Sequence, residues 1–222
     1  MNKTGNVSSQ YHNLRTALDV RTDVIRPKVT AHFAITWDGR ISTRSRTPSD
    51  FSSKADKLKL LRVRAEMDAV LVGMGTVKAD GMSLGLPDED LRNGRIAAGR
   101  SAYPLRVIVS SSGAIDLSLP IFGSGVDAGR LVVFVGNGCS DSVVAGLRNL
   151  AKQGVDVWKD EEKSNALNLE WVLKVLVVQY GVKSIVCEGG GRLLGELAKG
   201  ELLDEVRLTI VPRVFGGAEG YG

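Results

Sequence analysis

Four short runs of this 222-residue chain are almost wholly aliphatic between turn-forming neighbours: Asp68-Ala-Val-Leu-Val-Gly73, Arg106-Val-Ile-Val109, Leu131-Val-Val-Phe-Val135 and Lys183-Ser-Ile-Val-Cys187. A strand with one wet face alternates apolar and polar residues. Strands as uniformly apolar as these need cover on both faces, the condition of a parallel sheet layered between helices. The intervening segments agree. Lys28 to Thr36 reads as a first strand, closed by the turn Trp37-Asp38-Gly39-Arg40. Ser52 or Ser53 caps a helix to about Glu66, with Leu58, Leu61 and Ala65 on one face. Asp141 caps a helix through Leu150, and Gly154 ends it before a short strand, Val155 to Trp158. Asn168 caps the next helix, which shows Leu169, Val172, Leu173, Leu176 and Tyr180 at helical spacing. Arg192 to Lys199 forms a short helix and Val206 to Val211 a last strand, whereas residues 87–102, rich in Gly, Arg and Asp, are expected to be a long surface loop. The expectation is a polar extension over residues 1–25, then one α/β domain over 26–222 with a mostly parallel central sheet flanked by helices.

Composition narrows the function classes. Cys139 and Cys187 are the two cysteines, which excludes a disulfide framework and any Cys-x-x-Cys zinc or redox site; a reducing cytoplasm is the expected location. No apolar run approaches the roughly 20 residues that span a bilayer, and Met1 to Gln10 lacks an apolar signal core. Membrane partners are therefore not expected. The net charge of +4 is mild but uneven, with Arg40, Arg44, Arg46, Lys54, Lys57, Lys59, Arg62 and Arg64 set against Asp50 and Asp56. Such a stretch attracts phosphate, or is simply a solvated helix face. With Phe51 as its one aromatic and no nucleic-acid motif, it favours a phosphorylated small molecule over nucleic acid. The His-x-Glu and Pro-Cys-x-x-Cys pair is absent, excluding zinc deaminase chemistry, and no metal site is expected.

Ligands of parallel sheets sit beyond the carboxyl ends of the strands. Three segments fall there. Glu188-Gly-Gly-Gly191 joins a buried strand to a helix start, where glycines let backbone N–H groups approach a phosphate; as a bare glycine run it is equally a tight turn. Glu188, a carboxylate ending a buried strand, needs a partner. Gly73-Met-Gly-Thr-Val77, with Asp80 after it, repeats the design, and Thr76 and Asp80 are either ligand contacts or a cap and a turn former. Ser110-Ser111-Ser112 offers donors for a 2′-phosphate, or is a turn. The Gly-x-Gly-x-x-Gly fingerprint is absent, which disfavours an ordinary Rossmann domain. His12 lies in the polar extension, and His32, within an apolar strand, reads as a satisfied core histidine.

The order of these signals carries more than each one. Arg26-Pro27 with Phe33-Ala-Ile-Thr-Trp-Asp-Gly-Arg-Ile41, then Arg64-Ala-x-x-Asp-Ala-x-Leu-Val-Gly-x-Gly-Thr-Val77-x-Ala-Asp80, Pro104-x-Arg-Val-Ile-Val109, Cys187-Glu-Gly-Gly-Gly-Arg-Leu-Leu194, Leu203-Asp-Glu-Val206 and Phe215-Gly-Gly217 resemble the reductase domain of bacterial riboflavin biosynthesis proteins. The resemblance implies a dihydrofolate-reductase-like fold, a homodimer, NADPH as hydride donor and a ribosylamino-pyrimidine 5′-phosphate as substrate. By position it implies that Ala34, Thr76, Asp80, Ser111 and Gly190, Gly191, Arg192, Leu193, Leu194, Gly195 and Glu196 line the NADPH site. It likewise implies that Arg64, Leu84 and Glu188 face the substrate, Arg64 through its phosphate. The chain departs from the family pattern at Asp50-Phe51, where the family has a Trp; at Gly81-Met82, in place of Asp-Pro; and at Pro87, in place of a basic residue. Relatives also continue into further strands beyond the position of Gly222, so the C-terminal strands are expected to be short or missing. Two other readings remain: a pterin or folate reductase of the same fold, and a catalytically silent nucleotide-binding protein.

Overall fold

The computed structural model describes residues 26–42, 53–123, 128–162, 164 and 166–216. The expected extension over 1–25, Ser52 as a possible cap and the Asp50-Phe51 departure lie outside the described residues. Seven strands form one sheet in the order β5-β4-β3-β2-β6-β1-β7: β1 Lys28–Thr36, β2 Ala69–Gly73, β3 Leu105–Ser110, β4 Leu131–Val135, β5 Val155–Lys159, β6 Ser184–Cys187 and β7 Glu205–Val211. Every neighbouring pair is parallel. The helices are α1 Lys54–Glu66, α2 Met74–Asp80, α3 Glu89–Ala97, the one-turn α4 Pro120–Gly123, α5 Asp141–Asn149, α6 Leu169–Tyr180 and α7 Gly191–Lys199.

The aliphatic strands are buried on both faces because each face has its own helical cover. Val70 and Val72 of β2, with Leu131, Val133 and Val135 of β4, pack against Val63 of α1, Val77 of α2 and Val144 and Leu147 of α5. The alternate residues Ala69, Leu71, Val132 and Phe134 pack against Val172, Leu173 and Leu176 of α6 and Leu193 and Leu197 of α7. The period of two along each strand thus divides one apolar run between two cores.

Three local expectations change. On α1, Leu58 is exposed, and Val63 and Arg64 are the residues buried with Ala65. Residues 87–102 are not a plain loop, since Asp88 caps α3 by accepting from the Leu91 N–H at 3.0 Å. The helix is anchored by a buried polar side chain: the Arg95 guanidinium, 2% exposed, donates to the carbonyls of Ala65, Met67 and Ser101 at 2.9, 2.6 and 2.8 Å. An arginine in that role leaves no apolar periodicity to read. Ser140 rather than Asp141 caps α5, accepting from Val143 N–H.

Candidate active site at the carboxyl ends of the central strands

After β2 the chain crosses outward to β3, and after β6 it crosses past β1 to β7, so the two crossovers leave in opposite directions from adjacent strands. That divergence opens a crevice beyond the strand ends. The seam is closed by backbone: Glu188 N–H donates to Leu71 O at 3.1 Å and Gly73 N–H to Gly189 O at 3.2 Å. The cleft above it holds about 1410 Å³. That exceeds the roughly 300–1,000 Å³ of a site for one drug-sized ligand.

One end of the cleft is made of glycine, serine and a helix start. Gly189 has φ 111°, a conformation that side chains resist. A Cβ on Gly190 would meet Thr76 Oγ1 at 2.8 Å, and Gly190 N–H donates to that same hydroxyl at 2.9 Å. Thr76 therefore ties the β2–α2 turn to the β6–α7 turn. No side chain caps α7 or the shorter α2, whereas Ser53, Asp88, Ser140 and Asn168 cap α1, α3, α5 and α6. The first amides of a nine-residue helix face this end without a protein side chain on them, which suits an anion. Ser111 and Ser112 line the same end, beside the segment from Ala166 to Glu170, whose Leu167 N–H donates to Ser111 Oγ at 3.5 Å.

The other end gathers His32 of β1, Asp56 and Lys57 of α1, and Glu188. Glu188 is fixed from behind: Arg64 Nε and Nη2 donate to its two carboxylate oxygens at 2.5 and 2.6 Å, and Arg64 Nη1 donates to Gly85 O at 2.8 Å. Both side chains are buried, 9% and 3% exposed. Arg106 and Arg92 hold the same loop, donating to Ser83 O at 3.2 Å and to Leu86 O and Pro87 O at 2.9 and 2.6 Å. Burial lowers the Arg106 pKa to about 10.

Of the residues singled out from sequence, Ala34, Thr76, Asp80, Ser111, Glu188, Gly190, Gly191, Arg192, Leu193, Leu194 and Glu196 meet at this cleft. Partial desolvation there raises the Asp80 carboxyl above its ordinary value. Three others stand off its lining. Gly195 is exposed on α7. Leu84, at φ 57°, turns its side chain into the core and is 1% exposed. Arg64 stands behind Glu188, because a buried carboxylate takes the nearest guanidinium fork. His32 departs from the satisfied core histidine expected of it: it is 4% exposed, it lines the cleft, and its Nε2 has no hydrogen-bond partner. Asp56, Lys57 and residues 166–170 carried no sequence signal beyond charge and a cap; strand order brings them here.

Comparison with known proteins places the chain in a family. The model of the RibD C-terminal domain matches residues 27–221. The chain belongs to that family. It is 33% identical over 195 residues to the 2,5-diamino-6-ribosylamino-4(3H)-pyrimidinone 5′-phosphate reductase of Archaeoglobus fulgidus, covering 88% of this chain and 84% of the relative. Against the protein of the same name from Methanothermobacter thermautotrophicus it is 31% identical, covering 88% and 82%. It spans about half of RibD relatives such as that of Chlamydia muridarum, at 30% identity, 86% of this chain and 47% of that protein. Among solved structures, a pyrimidine reductase-like protein from Corynebacterium diphtheriae superposes with TM-score 0.73 at 21% identity over 91% of this chain and 86% of the other, showing the same fold.

Proposed function

We propose that this member of the RibD C-terminal domain family reduces a ribosylamino-pyrimidine 5′-phosphate in riboflavin biosynthesis, with NADPH as donor. The observation that carries the reading is the two-ended cleft, which joins an uncapped, glycine-lined helix start to a buried carboxylate held by an arginine. The names of the archaeal relatives supply the reaction class.

The residues fit a dinucleotide. The amides at the start of α7 suit a pyrophosphate, Gly189 leaves open space beside them while Gly190 makes room for Thr76, and Ser111 and Ser112 supply donors for a 2′-phosphate. When bound, NADPH supplies the hydride. The protein's own contribution is placement: Thr76 fixes the two turns relative to each other, and the Arg64 fork fixes Glu188 toward a polar substrate group. Phosphate groups of cofactor and substrate meet the cleft-lining cations Lys57, Lys78 and Arg192. Because both ends are preformed, hydride-transfer geometry needs no protein nucleophile.

A homodimer in the cytoplasm completes the proposal. The outward face of β7 carries Val206, Leu208 and Ile210, 55%, 39% and 57% exposed, with Trp37 at 76% nearby in sequence to the end of β1. The inward residues Arg207 and Thr209 instead bond Glu66 and Asp56 of α1. An edge strand that turns its apolar residues outward favours a second copy as cover. Both cysteines are buried and unpaired, which suits a reducing compartment. Among the described residues no helix is long and apolar enough to cross a membrane.

The decisive experiment follows NADPH absorbance with the ribosylamino-pyrimidine phosphate and with dihydrofolate as competing substrates. Turnover of the former with NADPH, and a tenfold or greater weakening with NADH, is the expected result. Reduction of dihydrofolate alone would move the assignment to a pterin reductase, and NADPH binding without turnover of either would leave a nucleotide-binding protein.

A further inference from the structure

His32 combines three observations that rarely coincide at a residue with no task. It is 4% exposed, the residue forms part of the cleft lining, and its Nε2, shut from solvent behind that lining, has no hydrogen-bond partner among the described residues. A buried polar atom left unsatisfied is costly, and each one in a native protein calls for a physical explanation, a functional role among them. Leu or Val at this strand position would remove the cost. The charged groups acting on the ring are Glu188 beyond β6, Asp56 and Lys59 of α1, and Arg207 of β7, which puts His32 at the carboxylate end of the cleft rather than at the glycine and serine end.

We infer that His32 is a substrate-contacting residue whose imidazole takes its missing hydrogen bond from a hydroxyl of the bound sugar, next to Glu188. A hydroxyl is the matching chemistry. A neutral imidazole presents an N–H or a bare nitrogen at Nε2 according to tautomer, and a hydroxyl both donates and accepts. The strongest influence on the ring is desolvation, which lowers its pKa and favours that neutral form. A ligand settling against this wall, with the ring turning to bring Nε2 to the cleft, supplies the bond that the described protein groups do not. Thr30 gives the internal contrast. Its Oγ1, two residues earlier on β1, is buried and also lacks a partner, but Thr30 does not line the cleft.

The inference rests on the proposed reductase reading, and its test separates the two. Wild type, His32→Leu, His32→Asn and Thr30→Val are compared by thermal unfolding, NADPH fluorescence titration and steady-state kinetics with the ribosylamino-pyrimidine phosphate. His32→Leu is expected to unfold at or above the wild-type temperature, to bind NADPH as wild type does, and to lose at least tenfold in kcat/KM. His32→Asn, which keeps a polar group, should recover part of that loss, and Thr30→Val should retain full activity. A kcat/KM for His32→Leu within twofold of wild type overturns the inference. So does a His32→Leu protein that unfolds several degrees below wild type, because the ring would then be a structural element. If wild type does not turn over the pyrimidine phosphate, the functional reading falls instead. The melting comparison then decides for the histidine alone, an unharmed His32→Leu upholding its orphaned nitrogen and a weakened one refuting it.

Discussion

Arg64 and Glu188 show how one pair of side chains joins stability to function. Each is buried, and each completes the other's hydrogen bonds. Removing one partner of a buried pair leaves an uncompensated charge, at a cost of about 3–5 kcal/mol. Arg64→Ala should therefore lower the urea midpoint sharply, while the Arg64→Met, Glu188→Met double variant should recover much of the loss. In activity the two positions should act as a unit, so that Arg64→Ala, Glu188→Gln and the double variant reduce kcat/KM by similar factors. If Arg64→Ala instead damages turnover of the phosphorylated substrate and spares its dephosphorylated analogue, the arginine reaches the phosphate itself. His32 adds a pH dependence. Its pKa is lowered mainly by burial, with Lys59 and Arg207 lowering it further and Glu188 and Asp56 opposing. Near the unfolded imidazole value of about 6.5, the unfolded chain then binds more protons than the folded one. Folding free energy from this residue is whole above that pH and falls as the medium is acidified toward the folded pKa. Denaturant titrations over this range should show a steeper acid loss for wild type than for His32→Leu.

At the scale of elements, the uncapped start of α7 and the cap-rich starts of α1, α3, α5 and α6 make one contrast. In the proposed reading, a side chain that satisfied the first amides of α7 would compete with the anion of the cofactor. Gly190→Val puts branched carbon where Thr76 Oγ1 already lies at 2.8 Å from a bare Cβ. NADPH affinity measured by fluorescence should fall at least a hundredfold, while circular dichroism should report an intact α/β fold. Helix α3 illustrates what residue patterning conceals. Its footing is Arg95 on the carbonyls that end α1, and a guanidinium on carbonyls has no period. Arg95→Ala strands two buried carbonyls, which should destabilise the protein by about 2–5 kcal/mol in urea unfolding.

For the whole molecule, β7 is the element whose chemistry is turned outward. Its polar residues bond α1 and its apolar residues face solvent, the reverse of an ordinary edge strand. The homodimer proposal predicts that Leu208→Asp with Ile210→Asp converts a dimer to a monomer in sedimentation velocity without loss of secondary structure. A wild-type monomer at micromolar concentration would leave that face to another partner.

The sheet was legible in the chain because two-sided burial writes itself into composition. Ala69 to Val72 and Leu131 to Val135 can be stable strands where helices cover both faces, and the spacing between such runs admits crossover helices. Glu188 to Gly191, Thr76 and Ser111 were legible as candidates, since glycines and short polar residues near strand ends mark either a turn or a close backbone approach, and the fold gathers them at one cleft. Tertiary structure decided the rest. Placing β1 between β6 and β7 brings His32 and Asp56 to the Glu188 side of the cleft, a neighbourhood that arises between segments far apart in sequence. It also sets Arg64 behind Glu188 and turns Leu84 into the core. Local pattern reports which residues must leave water; which polar groups then meet depends on the order in which strands lie side by side, and that order is settled by packing and long-range closure rather than by any segment alone.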